Sequence, residues 1–244
     1  MKALILRLDA PLVSFGGVMI DQHGFIEHFP GTSLLTGLFA NALGWHHRDF
    51  DRLQALQARL QYAARWDVPP QRIVDYHTVD LGQSKMRESG WTTHGKAEHR
   101  AGRTDAKYGT HIRYRHHWAD GLMTIAVALE GGGEPTLDAT QAALTRPARP
   151  LFLGRKACLP ARPLLDPEAQ REGSDLLTIL RQVPFWDRHG RPQQSPDKTH
   201  ACWPAELGIP EGARAEIRRV HDIRDWPNQL PAGSRERAEG ILGG

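Results

Sequence analysis

Cysteine is nearly absent: Cys158 and Cys202 are the only two among 244 residues. Two cannot build a disulfide framework or a cysteine-rich zinc site, so both are expected as reduced core or loop residues. No apolar run approaches the roughly 20 residues of a membrane span. The opening MKALILRLDAP is too short for a signal peptide and has no small-residue cleavage site. These absences predict a soluble, cytoplasmic chain with no membrane partner. The GKS/T ending of a phosphate loop, the GxSxG turn and HExxH are missing as well. Thirteen histidines include the adjacent pairs His46–His47 and His116–His117. Neighbouring residues rarely chelate one ion, so neither a metal nor a cofactor is expected.

What the chain does have is enough apolar material for a core, at 40% hydrophobic residues, and a length that fits one large domain or two small ones. It also has unevenly placed charge. The total is only +3, yet Gly82 to His117 carries eight Lys/Arg against three acids, a net of +5 that leaves −2 elsewhere. A second basic stretch, Leu144 to Leu165, holds Arg146, Arg149, Arg155, Lys156 and Arg162 and no acid. One charge run is usually a solvated face; two on a near-neutral body point to a polyanion partner.

Along the chain, Ala3 to Leu8 reads as a strand with Leu4, Leu6 and Leu8 on one face. Thr32 or Ser33 can cap a helix that runs to Leu43, with Gly44 as terminator, and its free N-terminal amides can hold an anion. A second helix spans Asp49 to Leu60 on a stripe of Phe50, Leu53, Leu56 and Leu60. Leu60–Trp66, Ile73–Val79 and Leu122–Leu129 read as strands. Between them, Gly82 to Thr110 is polar and basic, an arm inserted between sheet strands. In HIRYRHHW, His111, Arg113, Arg115 and His117 share one side of a strand; Ile112, Tyr114, His116 and Trp118 share the other. Pro135–Leu144 suits a helix, Ile179–Phe185 and Ala215–Ile223 suit strands, and Pro231–Gly244 is expected to fray. This order predicts an α+β domain with an RRM-like sheet.

The segment PLFLGRKACLP, Pro150 to Pro160, raises the chemical question. Gly154 followed by Arg155 and Lys156 is suited to a phosphate, but a single glycine running into Pro160 is no nucleotide loop. Cys158 beside two cations can have a lowered pKa, though no partner histidine is assignable. Metal-independent RNA cleavage needs only a general base, an acid and cations about the phosphate. His77, His111, His116, His117, Tyr76 and Tyr108 offer those groups, and their abundance does not place them.

Four segments, in order and spacing, resemble the CasD subunit family of type I-E CRISPR Cascade, in the RAMP superfamily. They are LILRLDAPLVSFGG (Leu4–Gly17), FPGTSLLTGLFANALG (Phe29–Gly44), DYHTVDLG (Asp75–Gly82) and RPLFLGRKACLPARPLL (Arg149–Leu165), with a fainter echo at VHDIRDW (Val220–Trp226). The chain departs from the family at Pro30-Gly31-Thr32-Ser33-Leu34, which lacks an arginine, and at Phe15, where a tryptophan usually follows the serine.

The resemblance implies a RAMP (RRM/ferredoxin-like) domain over residues 1–165 with a β-hairpin thumb at about 82–117. A smaller, divergent β-rich region over 166–230 and a flexible tail over 231–244 complete the expected layout. It implies a non-catalytic subunit that grips the 5′ handle of the guide RNA, beside the repeated backbone subunit and the large subunit, and meets target DNA only through the complex. Type I-C relatives process precursor RNA without metal, and they supply the alternative of an endoribonuclease. The RNA-binding residues it implies near the body are Ser14, Gly16, Ser33, Arg149, Gly154, Arg155 and Lys156. On the thumb they are Lys85, Arg87, Arg103, Lys107, Tyr108, Arg113 and Arg115, with Met86 and Trp91 as a wedge. Gly154 is expected to let the backbone approach an RNA phosphate closely.

Overall fold

The computed structural model describes residues 1–80, 90–91, 97–98 and 110–243. In chain order the elements are β1 (Lys2–Asp9), β2 (Leu12–Val13), β3 (Gly16–Ile20), β4 (His23–Ile26), α1 (Thr32–Ala42), α2 (Phe50–Arg59), β5 (Leu60–Val68), β6 (Gln71–Asp80), β7 (Gly90–Trp91), β8 (Ala97–Glu98), β9 (Thr110–Ala119), β10 (Leu122–Leu129) and α3 (Leu137–Thr145). Then follow β11 (Leu165–Glu172), α4 (Leu176–Gln182), β12 (Phe185–Trp186), β13 (Pro192–Gln193), β14 (Lys198–Pro204), β15 (Arg214–Val220), β16 (Arg224–Asp225), β17 (Leu230–Pro231) and β18 (Arg235–Gly243). The chain divides into two compact units. One contains Met1–Gly16, Ile26–Arg72 and His117–Gly244; the other contains Gly17–Phe25 and Ile73–His116.

The first unit is built on a seven-stranded sheet in the order β11-β1-β10-β5-β14-β18-β15, with antiparallel neighbours. Strand alternation sorts its residues between two cores. Leu6 and Leu8 of β1, Tyr62, Ala64 and Trp66 of β5, and Met123, Ile125 and Val127 of β10 pack with Leu35, Leu38 and Phe39 of α1, Leu56 of α2 and Leu144 of α3. On the other face, Ala3, Ile5, Ala63, Ala126 and Ala128 are small, and α4 lies there through Leu176, Leu177, Ile179 and Leu180. β1 is therefore covered on both faces, not on the one its leucines marked.

The second face also buries charge. Arg7 and Arg65 are 1% and 2% exposed. Arg7 Nη1 reaches Asp67 Oδ2 at 2.6 Å, Arg7 Nε reaches Asp166 Oδ2 at 2.7 Å, and Arg65 Nε reaches Asp67 Oδ1 at 2.9 Å. The Arg7 and Arg65 guanidinium carbons sit 4.3 Å and 3.6 Å from the Trp186 and Phe185 ring centres. Burial lowers the Arg65 pKa from its ordinary value, and Asp67 opposes that shift. Paired in this way, charges on alternating strand positions belong to the interior.

In the second unit β4 runs parallel to β9, with His23 opposite Tyr114 and Gly24 opposite Arg115; β3 flanks β4, and β6 also pairs with β9. β7 and β8 form a short antiparallel ladder, Gly90 opposite Glu98 and Trp91 opposite Ala97.

The α+β architecture and its mostly antiparallel sheets agree with the order of elements read from the sequence. Several particulars differ. Ile179–Phe185, expected as a strand, lies largely within α4, whose start is capped by Asp175: its Oδ1 accepts from Thr178 N at 2.7 Å. The N-cap of α1 is Gly31, without a side-chain cap, rather than Thr32 or Ser33. Phe50, placed on the buried stripe of α2, is 39% exposed.

The tail expected to fray over 231–244 instead supplies β18, an interior strand between β14 and β15. Charges within it are paired and buried: Arg237 Nη2 reaches Glu239 Oε2 at 2.7 Å. The boundary expected at residue 165 is crossed by the sheet itself, because β11, β14, β15 and β18 belong with β1, β5 and β10.

Candidate nucleic-acid interface

The basic loop after α3 is pinned from below. Leu153 N donates to Cys158 O at 2.8 Å, Cys158 N donates to Arg155 O at 2.8 Å, and Ser14 N donates to Leu153 O at 3.0 Å. Gly154 has φ +108°, a left-handed conformation that glycine adopts freely. A Cβ there would lie 1.8 Å from the Ser14 carbonyl oxygen. The close backbone approach expected toward a phosphate is thus made within the chain, to Ser14, whose own side chain is buried. Gly16 is exposed with open space about its Cα.

The cations of this stretch divide. Arg149 donates to the carbonyls of Gly44 (2.6 Å) and Trp45 (2.9 Å) and to Asn41 Oδ1 (3.2 Å), which closes the C-terminal end of α1. Arg162 Nε reaches Asp9 Oδ2 at 2.6 Å. Arg155 is half-buried, its Nη1 3.3 Å from His117 Nε2, and Lys156 is exposed. Arg149 is thus committed to the end of α1, Arg155 stands beside His117, and Lys156 is exposed. Cys158 is buried, and burial raises its thiol pKa from the ordinary value against the opposing pull of Arg155. The lowered pKa considered from the neighbouring charges is not realised. Cys202 is likewise buried and pushed up to about 11.

The N-terminus of α1, expected to receive a phosphate through Ser33 and its neighbours, is occupied by the chain itself. Thr32 N donates to Asp222 Oδ2 at 2.9 Å, and Ser33 N donates to Asp222 O at 3.0 Å. A Cβ on Gly31 would lie 2.8 Å from Asp222 Cβ, so glycine permits this contact. Arg235 holds the same carboxylate, with Nη2 2.9 Å from Oδ2, and also donates to Tyr62 Oη at 3.0 Å. A carboxylate at a helix N-terminus satisfies free amides and the helix dipole together. No sequence spacing links Asp222 to residue 32; the faint VHDIRDW echo was the only sign.

In the second unit Arg113 Nη1 donates to Asp21 O at 2.7 Å, and Arg115 is exposed. Lys85, Met86, Arg87, Arg103, Lys107 and Tyr108 lie outside the described residues, as does the side chain of Trp91, whose backbone forms part of β7.

Comparison with known proteins decides the kinship. The family model described as "CRISPR-associated protein (Cas_Cas5)" matches residues 3–238. The chain belongs to the CRISPR-associated Cas5 family. This Cas5-family chain is 28% identical over 169 residues to the Escherichia coli (strain K12) protein named "CRISPR system Cascade subunit CasD", covering 66% of this chain and 68% of that protein. Among solved structures it is similar to a chain of a "CRISPR RNA-guided surveillance complex", with a TM-score of 0.64, 23% identity and coverage of 99% of this chain and 89% of the other. A second, described as "Crystal structure of Cas protein", has a TM-score of 0.58 and 22% identity, covering 99% and 93%.

The acid–base candidates of this Cas5-family chain fall in different settings. His77 contacts Asp75, and Tyr76 is exposed with its ring 5.4 Å from that of Tyr114. His116 is buried, its Nε2 3.4 Å from His23 Nδ1. His117, also buried, faces Arg155. The side chain of His111 lies outside the described residues. Among the described residues, no three ligating side chains gather as on a metal ion, and no helix is long and apolar enough to cross a membrane.

Proposed function

We propose that this chain is a non-catalytic subunit of a type I-E CRISPR Cascade complex that holds the 5′ handle of the guide RNA and caps the filament of repeated backbone subunits. The observation that carries this reading is the kinship with the Escherichia coli protein named as a Cascade subunit. The loop chemistry supports it. A basic segment locked under Ser14 presents Arg155 and Lys156 on a backbone with little freedom to lose on binding. Arginine forks onto phosphate oxygens and lysine acts as a point charge.

On this reading the sheet up to Leu165 is the RRM-like RAMP core, and residues 82–117 form a β-hairpin thumb that kinks the guide. Lys85, Arg87, Arg103, Lys107, Arg113 and Arg115 fix its backbone, while Met86, Trp91 and Tyr108 wedge against a base. The large subunit and the repeated backbone subunit are its protein partners. Target DNA is met through the assembly, with sequence read by guide pairing.

The test is retention of repeat-derived RNA by the assembled complex. Replacing Arg155 and Lys156 together with alanine should weaken retention and lower the slope of affinity against salt by about two charges' worth. Unchanged retention and slope would remove the loop from the interface. Incubating the purified chain with repeat RNA in chelator should leave the RNA intact. Specific cleavage lost on a His or Tyr substitution would establish the endoribonuclease instead.

A further inference from the structure

A second polar site lies in the first unit, on the face of β14, β18 and β15. His28, His200, Arg214, Glu216, Arg218 and Glu239 line a cleft of about 570 Å³, within the ~300–1,000 Å³ of small-ligand sites. One polar atom there lacks a partner and a second is only loosely paired. His28 Nδ1 is buried with no hydrogen-bond partner among the described residues. Glu239 is 5% exposed; its Oε2 is taken by Arg237, while its Oε1 stands 3.8 Å from His200 Nε2 and 3.6 Å from Arg218 Nη1, beyond ordinary hydrogen-bond length. A buried atom such as His28 Nδ1 calls for a partner, and the long contacts of Glu239 Oε1 leave it room to accept a shorter hydrogen bond. The walls are flat rings: His28 packs on Trp118 with centroids 4.5 Å apart and meets His200 edge-on at 4.8 Å. Arg214 and Arg218 line it from β15, both exposed, with Arg218 Nε 3.5 Å from Glu216 Oε1.

A simple anion suits this cleft poorly, because two carboxylates share it. The combination asks for a flat body with N–H donors for Glu239 and an anionic arm for the arginines. We infer that the cleft takes a single unpaired nucleotide of a bound RNA, one whose base carries an exocyclic amine. The amine donates to Glu239 Oε1, the base lies against one of the two imidazole rings, and the phosphate meets Arg214 and Arg218. Uracil offers carbonyls on both sides of its one N–H, and a carboxylate repels them. The inference rests on the RNA-holding reading above and adds a base preference that reading does not contain. Burial holds both imidazoles below their ordinary pKa, as neutral rings suited to a base.

The test uses the full chain and labelled uridine octamers, either plain or carrying one adenosine, cytidine or guanosine. The single amino-bearing base should tighten binding about tenfold, the worth of one hydrogen bond to a charged group. Glu239→Gln should erase that preference, and Arg214→Ala with Arg218→Ala should weaken every octamer and flatten the salt dependence. In the unaltered chain, the ring C–H NMR signals of His28 and His200 should move with amino-bearing octamers and not with plain uridine; this arm needs no variant to fold. Equal binding of all octamers, unmoved histidine signals, or a preference that survives Glu239→Gln overturns the inference. Free adenosine, cytidine or guanosine 5′-monophosphate moving those signals as strongly as the octamers overturns RNA as the source. If the chain retains repeat-derived RNA while the cleft variants change nothing, only the cleft fails. If it retains no such RNA, the RNA-holding reading fails first.

Discussion

A methyl group on Gly154 has nowhere to go, because the Ser14 carbonyl oxygen fills its place and the left-handed φ strains any other residue. Gly154→Ala is expected to cost about 1–3 kcal/mol, read as a lowered thermal midpoint, and to loosen the loop bearing Arg155 and Lys156. A midpoint equal to that of the parent chain would contradict the packing. His28 and His200 give a pH dependence. Burial depresses both below their ordinary value of 6.5; Glu239 and Glu27 oppose this for His28, and Glu239 for His200, while Arg218 and Arg237 reinforce it for both. Below that value the unfolded chain binds protons that the folded chain refuses, so stability rises with pH. The contribution is present in full above about pH 6.5 and fades as pH falls through the depressed values. A thermal midpoint followed from pH 7.5 to 5.5 should fall, and His28→Gln with His200→Gln should flatten that fall.

At the scale of elements, α4 shows what sequence reading reached and missed. Its apolar run is short enough to pass for a strand, and the deciding signal was Asp175, three residues before Thr178. Asp175→Ala should destabilise the chain by about 1 kcal/mol, measured by denaturant unfolding; no change would mean that the packing of Leu176 to Leu180 holds the helix alone. α1, α2, α3 and the central strands were legible because their apolar periods are long and uninterrupted. β18 was not: Arg235, Arg237 and Glu239 look like solvent-facing charges until Asp222, Tyr62 and one another are seen as their partners. At the candidate site, Arg155 and Lys156 were legible from local charge. Asp222 over α1 and the His28–His200 cleft were not, because their members are separated by scores of residues and share no spacing.

Over the whole molecule, charge is sorted rather than spread. Arg7, Arg65 and Arg237 are interior and matched, so they add nothing to an outer field. On the RNA-holding reading, the cations left to meet a polyanion are fewer than composition counts. Removing residues from Arg235 onward takes a strand out of the sheet between β14 and β15. Such a truncated chain is expected to be insoluble or protease-sensitive, and a soluble, cooperatively unfolding product would contradict the topology.

The carboxylate over the first amides of α1 comes from residue 222, and β18 beyond it joins β15 to the rest of the sheet. During synthesis, then, α1 waits for a residue 190 positions further along the chain to emerge. The first amides of α1 cannot be seated by that carboxylate until residue 222 has left the ribosome.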